Sequence, residues 1–289
     1  MIYRFILLGV LLLTNPSWAQ DTTVEYTPGA DGKIPIPSGH ELVLDARLVE
    51  GGDAIERGMV WRVFETRKDD TGKLPLVATA MGGTASFTLD SGSYLVHAAF
   101  GRAGASKQIT INGAKTTESF VLRAGGLELY ANTNNQPIPA KALRFSIFEL
   151  DQDEEGNRKM IAFNVAANKV IQLNEGTYHV LSRYGTINAT VRADLEVKAG
   201  QVTKAVLQHR GAPVSLRLVS QKGGDPVANT AWSVLTEDGE NVFSSRLISP
   251  SLILAEGTYE AVVRYGKDTF RQTFIIKPGL SNRVEILLK

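Results

Sequence analysis

"LNEGTYHVLSRYG" runs from Leu173 to Gly185, "LAEGTYEAVVRYG" from Leu254 to Gly266, and "LDSGSYLVHAAFG" from Leu89 to Gly101. Gly92, Gly176 and Gly257 are therefore equivalent and set repeat steps of 84 and 81 residues. Such a step is too long for a solenoid unit and suits a small β-domain. The glycine supplies a backbone conformation that a side chain resists. Tyr94, Tyr178 and Tyr259 then start the next strand and point inward. A buried tyrosine hydroxyl needs a partner, and the backbone of the adjoining turn is the nearest one. That is the logic of a tyrosine corner, which ties two sheets together. Three copies of the stretch imply three corners with a structural role.

Other landmarks keep the same register. "VWRVFE" (Val60 to Glu65) aligns with "RFSIFE" (Arg144 to Glu149) and "AWSVLT" (Ala231 to Thr236). "EGGDAI" (Glu50 to Ile55) aligns with "KGGDPV" (Lys222 to Val227), and each copy closes with strand, Gly turn and strand around Gly113, Gly200 and Gly279. Within segments the period is two, the strand signature. Val214, Leu216 and Leu218 alternate with Ser215 and Arg217. Turn pairs such as Asp238-Gly239 and Pro278-Gly279 separate the runs. The expectation is an all-β chain of three tandem Greek-key β-sandwiches of the prealbumin or immunoglobulin-like kind. Each holds about seven strands, over residues 39–125, 126–211 and 212–289.

The start of the chain reads as an export signal. Arg4 gives the charged region, and Phe5 to Leu13 is apolar but far short of the roughly 20 residues a membrane helix needs. "SWA" at Ser17 to Ala19 fits a cleavage site, so residues 1–19 are expected to be removed and 20–38 to form a polar leader. The expected location is periplasmic, with secretion or surface display as alternatives. No later stretch suggests a membrane span. Cysteine is absent, which excludes disulfides and thiol chemistry. The formal charge of +1 leaves no electrostatic footprint for nucleic acid.

The segments "GGDPV", "LAEGTY" and "FIIKPGLSNRVEILL" together resemble prealbumin-like sandwiches, including the carboxypeptidase regulatory-like and collagen-adhesin B-type repeats of bacterial surface proteins. Adhesin repeats of that kind often carry a glutamate four residues after the tyrosine, which promotes an isopeptide crosslink. Here those positions hold Ala98, Ser182 and Val263, so the crosslink is not carried over. The phrases "VWRVFE", "LVHAAFGRA", "RADLEVKAG" and "ANTAWSVL" are similar to a family of exported alphaproteobacterial proteins. That resemblance implies an envelope location and supplies no activity.

Enzyme signatures are missing: there is no G-x-S-x-G, H-E-x-x-H, P-loop or dinucleotide fingerprint. His40, His97, His179 and His209 are the only near-neutral bases, and they stand at non-equivalent positions. No catalytic residue and no cofactor are expected. Asp151, Asp153 and Glu155 have the first spacings of a calcium loop, with Gly156 following, but the twelfth position is Ala162. A solvated hairpin tip is the simpler reading. Asn188-Ala-Thr fits a glycosylation sequon. Trp61, Phe145 and Trp232 share a repeat position and are expected in the cores rather than on a sugar platform. Phe64, Phe148 and Leu235 fall on the opposite strand face, and Arg183 and Arg264 on the outward face of the tyrosine strand. These five form the candidate contact face.

The expected function is a non-catalytic scaffold or binding module for another envelope component. The alternatives are a secreted adhesin-like protein engaging a host surface and an accessory part of an envelope enzyme.

Overall fold

In a computed structural model, residues 39–288 are described; the expected signal peptide and polar leader lie outside the described residues. The first repeat holds β1 (His40–Arg47), β2 (Met59–Glu65), β3 (Leu76–Gly82), β4 (Ala85–Leu89), β5 (Gly92–Phe100), β6 (Ala103–Ile111) and β7 (Lys115–Val121). The second holds β8 (Ala124–Thr133), the short β9 (Gln136–Pro137), β10 (Leu143–Gln152), β11 (Arg158–Ala166), β12 (Val170–Asn174), β13 (Gly176–Tyr184), β14 (Thr190–Val197) and β15 (Val202–His209). The third holds β16 (Gly211–Val219), β17 (Thr230–Thr236), β18 (Asn241–Ser245), β19 (Ser251–Ala255), β20 (Gly257–Tyr265), β21 (Asp268–Ile276) and β22 (Asn282–Leu287).

Each repeat is a two-layer sandwich. Its four-stranded sheets run β3-β2-β5-β6, β11-β10-β13-β14 and β18-β17-β20-β21, all antiparallel. Its three-stranded sheets run β4-β1-β7, β12-β8-β15 and β19-β16-β22, the second with the short β9 added on β8 as a fourth strand. In these the first and last strands of the repeat lie parallel, as in the register Leu44↔Glu118, Leu129↔Ala205 and Leu216↔Val284. A parallel first and last strand bring the chain in at one end of the sandwich and out at the other. That is why successive repeats can follow head to tail with a joint of one or two residues, Leu122-Arg123 and Arg210.

Period-two burial fills three separate cores. Trp61, Phe145 and Trp232 lie at the heart of one core each, at most 1% exposed. The Trp61 indole N–H donates to the Gly83 carbonyl at 2.7 Å, and its ring meets Phe120 edge-on at 5.4 Å. Trp232 donates instead to the buried Thr230 hydroxyl at 3.1 Å.

The repeated stretch is the arch between the two sheets. β4, β12 and β19 belong to the three-stranded sheets, and β5, β13 and β20 to the four-stranded ones. An arch makes no ladder hydrogen bonds of its own, and the tyrosine supplies the missing tie. The hydroxyls of Tyr94, Tyr178 and Tyr259 donate to the carbonyls of Asp90, Asn174 and Ala255 at 3.1, 2.9 and 3.1 Å. Gly176 and Gly257 hold φ of 149° and 152°, a region where side chains strain. Gly92 does not share that positive φ. Tyr259 is buried, whereas Tyr94 and Tyr178 are half-buried at the rims of their cores.

Candidate functional site

The junctions between repeats carry the most elaborate side-chain chemistry. At the first, the Asn174 amide donates to the carbonyls of Leu122 and Gly104 at 2.7 and 3.2 Å, and its oxygen accepts from the Gly104 N–H at 3.1 Å. At the second, the Asn188 amide donates to the Tyr259 hydroxyl and its oxygen accepts from the Ala255 N–H, both at 2.9 Å. Asn188, the sequon residue, is thus engaged in a junction.

The joint arginines complete each clamp. The Glu175 N–H donates to the Arg123 carbonyl at 2.7 Å while the two side chains form an ion pair. Glu256 repeats this with Arg210: its N–H donates to the Arg210 carbonyl at 2.6 Å, and its carboxylate takes a fork of 2.5 and 2.9 Å. That fork raises the Arg210 pKa and lowers that of Glu256. The last glycine of the repeated stretch does further work here. A Cβ on Gly101 would come within 2.9 Å of Gln172 in the next repeat, and one on Gly185 within 2.8 Å of Ile253. Gly266, the same position in the third repeat, has nothing within 4 Å.

A first prediction concerns this joint. Asn188→Ala leaves the Ala255 N–H without a partner and removes the donor to the Tyr259 hydroxyl, at an expected cost of about 1–2 kcal/mol. Hydrogen exchange should quicken in β19 and the start of β20 while β1 to β7 stay protected. Unchanged exchange on both sides would overturn the clamp reading.

The candidate contact residues do not build these junctions. Phe64, Phe148 and Leu235 are half-buried on the outer faces of the four-stranded sheets and join none of the three cores. The Phe148 ring sits 6.4 Å from that of His179 on the adjacent strand. Arg183 lies over the exposed Phe163 ring at 5.3 Å, a cation–π contact. Arg264 stands exposed beside Arg246, on the wall of a shallow hollow floored by Ala231 and Ser233.

The acidic string forms a hairpin tip. Asp153 Oδ1 accepts the backbone N–H groups of Glu155 and Asn157 at 3.1 and 2.7 Å. Asp69 caps the equivalent loop of the first repeat through Thr71 and Lys73, and the Thr236 hydroxyl does so in the third through Glu240. The carboxylate thus serves the fold of its own loop. Among the described residues no group of three His, Asp or Glu could hold a metal.

The histidines separate by environment. His97 bonds Ser106 at 2.9 Å, and His179 pairs with Asp194 at 2.7 Å. His209 corrects the expectation of a near-neutral base. It is 2% exposed, and burial pushes its pKa down to about 4. Its Nε2 shares a 2.7 Å hydrogen bond with the fully buried Ser182 hydroxyl. This serine–histidine contact was not foreseen, and its geometry argues against catalysis. Among the described residues His209 Nδ1 has no hydrogen-bond partner, so none of their acids orients the ring, and the serine does not reach the surface. The pair fills positions held by Ala98 and Leu122 in the first repeat and by Val263 and Leu288 in the third.

Among the described residues no helix is long and apolar enough to cross a membrane. No curated protein matches the chain. Similar solved structures include the Bacillus anthracis TIE protein, at 18% identity and TM-score 0.24, covering 87% of this chain and 50% of that one. The chain thus spans half the length of that protein. The minor pilin GBS52 of Streptococcus agalactiae is similar at 11% identity and TM-score 0.32, over 59% of this chain and 95% of that one. The major pilin subunit BcpA of Bacillus cereus is similar at 10% identity and TM-score 0.24, over 86% and 99%. Residues 213–288, which run from within β16 to just past the end of β22, match the family described as the Rhizobiales growth-associated tandem repeat domain.

Proposed function

We propose that the chain is an exported, non-catalytic scaffold of the cell envelope whose repeats hold another envelope protein in place. The observation that carries this reading is the repeated clamp. Arg123–Glu175 and Arg210–Glu256 pin each joint residue to the repeat that follows, through side chain and backbone together. Asn174 and Asn188 lock the same joints. Such joints make a stiff support, whereas a lid or a closing cleft would need a loose one. Among the described residues two histidines meet a serine hydroxyl, His97 with Ser106 and His209 with Ser182, and the second pair is sealed inside a core, which is consistent with a binding role. The repeats leave the broad outer faces of the four-stranded sheets for a partner.

The test is cell fractionation followed by crosslinking in the intact envelope. The expected result is retention in the periplasmic fraction and reproducible crosslinks from those outer faces to a small set of envelope proteins. Release of most of the chain into the medium would overturn the scaffold reading in favour of an adhesin-like secreted protein.

A further inference from the structure

The outer face of the third repeat differs from its two counterparts in a way that packing does not explain. Arg264 on β20 pairs in register with Ala231 on β17, and Ser233 pairs with Ser244 on β18. Arg246 follows β18 directly. Small residues therefore form the floor, and two arginines rise beside it. The result is two adjoining hollows of about 490 and 530 Å³ that share Ala231, Arg246 and Arg264. Ser233, Ser244 and Ser245 line the first. Asn229, Thr230 and Gly266 line the second.

The charges here are uncompensated. Among the described residues neither Arg246 nor Arg264 forms an ion pair. The carboxylate on the same face, Glu260, is already held by Arg271 at 2.7 Å. Two like charges side by side repel, so their juxtaposition favours an anion between them. Neither counterpart repeats the set. The second repeat has Arg144 and Ala166 where the third has Ala231 and Arg246, and its Arg183 is occupied by Phe163. The first has Val60, Met81 and Ala99 at those three positions. A Cβ on Gly266 would meet nothing within 4 Å, whereas one on Gly101 or Gly185 would meet Gln172 or Ile253 of the following repeat.

We infer that the Arg246–Arg264 hollow of the third repeat is a binding site for an oxyanion, a carboxylate or phosphate group carried by a ligand. Guanidinium forks match the paired oxygens of either group, and the Ser233 hydroxyl can donate to a remaining lone pair, while that of Ser244 is engaged with the Asn241 side chain. The site is small and open, so it grips one charged end group rather than enclosing a whole molecule. This inference rests on the third repeat alone and stands whether or not the envelope reading does.

The test uses the full chain, labelled for amide NMR and titrated with three probes. They are N-acetyl-alanyl-alanine, the same dipeptide as its C-terminal amide, and methyl phosphate. The expected result is saturable shifts at Ala231, Ser233, Ser244 and Arg264, half-complete at about 1 mM for at least one anionic probe. The amide should bind at least about tenfold more weakly, and so should the anion to Arg246→Ala or Arg264→Ala chains. Tighter binding of the acid peptide assigns the site to a carboxylate, and tighter binding of methyl phosphate to a phosphate. Absence of saturation by about 50 mM of either anion overturns the inference. So does equal binding of the neutral amide, or binding that survives both substitutions. Both arginines are exposed, so the variants should give the parent spectrum away from the hollow, which separates a lost site from a lost fold.

Discussion

Trp61→Ala is expected to remove about 3–5 kcal/mol from the first repeat, most of what a small domain has in hand. Three losses combine. The indole is wholly buried between the sheets, so truncation opens a large void. Its edge-on contact with Phe120 across the core disappears. The Gly83 carbonyl also loses the indole N–H, and that backbone has little room to re-pair. Gly83 is pressed so closely on Glu56 that a Cβ there would lie 2.4 Å from its carbonyl oxygen. Trp61→Phe is the graded control, since Phe145 fills the equivalent place in the second repeat. It should cost about 1–2 kcal/mol, for lost volume and the one hydrogen bond. Urea unfolding read by hydrogen exchange, repeat by repeat, gives the measurement. Protection in β2 and β5 should collapse first while β17 and β20 hold. A cost for the alanine variant below about 1 kcal/mol would contradict the packing argument.

The same comparison explains what could be read in the sequence. The core positions and the corners were legible because strand alternation and turn chemistry are local. A tyrosine two residues after a glycine at the end of an apolar run needs no distant information. The junctions were harder. Arg123 and Glu175 stand far apart in the chain, and only the antiparallel pairing of β8 with β12, like that of β16 with β19 for Arg210 and Glu256, brings such ends together. A signal did exist: Glu175 and Glu256 precede the corner glycine only in the two repeats that follow a joint arginine, and Ser91 stands there in the first. The outward apolar set was assigned by strand parity alone, and parity cannot say whether a residue lies at the end of a sandwich or on its flank. The joints occur at the ends, so Phe64, Phe148 and Leu235 had no part in them. The hollow beside Arg264 was half legible. The arginine was noted, but its partner Arg246 and the small floor come from β18 and β17, whose register a lone sequence does not give.

Ser182 and His209 left a subtler trace, two polar residues at positions that are apolar in both other repeats, and they lead to a pH prediction. His209 has its pKa pushed down to about 4 by burial, against an ordinary value near 6.5. The folded chain therefore keeps the ring neutral where the unfolded chain protonates it. Above pH 6.5 both states hold the neutral ring and the group has no effect on stability. Between 6.5 and 4 the unfolded state binds the extra proton, so stability falls as pH falls. The full loss amounts to about 3 kcal/mol, borne by the second repeat. Among the described residues no counter-charge is placed to relieve it. The groups at hand are the Ser182 hydroxyl and the Tyr184 ring, edge-on at 5.8 Å, while the neighbouring Glu256 carboxylate is committed to Arg210. His97 adds a shift of the same sign, from burial first and Arg62 second, but in the first repeat. The decisive variant is Ser182→Ala with His209→Leu, which installs the residues found at Ala98 and Leu122. His209→Leu alone would strand a buried hydroxyl, so the pair must change together. The double variant should match the parent within about 1 kcal/mol at pH 7.5 and exceed it by about 3 kcal/mol near pH 4. Urea midpoints measured from pH 7.5 down to 4, with hydrogen exchange to isolate β13 and β15, would show the two curves parting below pH 6.5. Parallel curves across that range would mean that His209 does not control the acid sensitivity of its repeat.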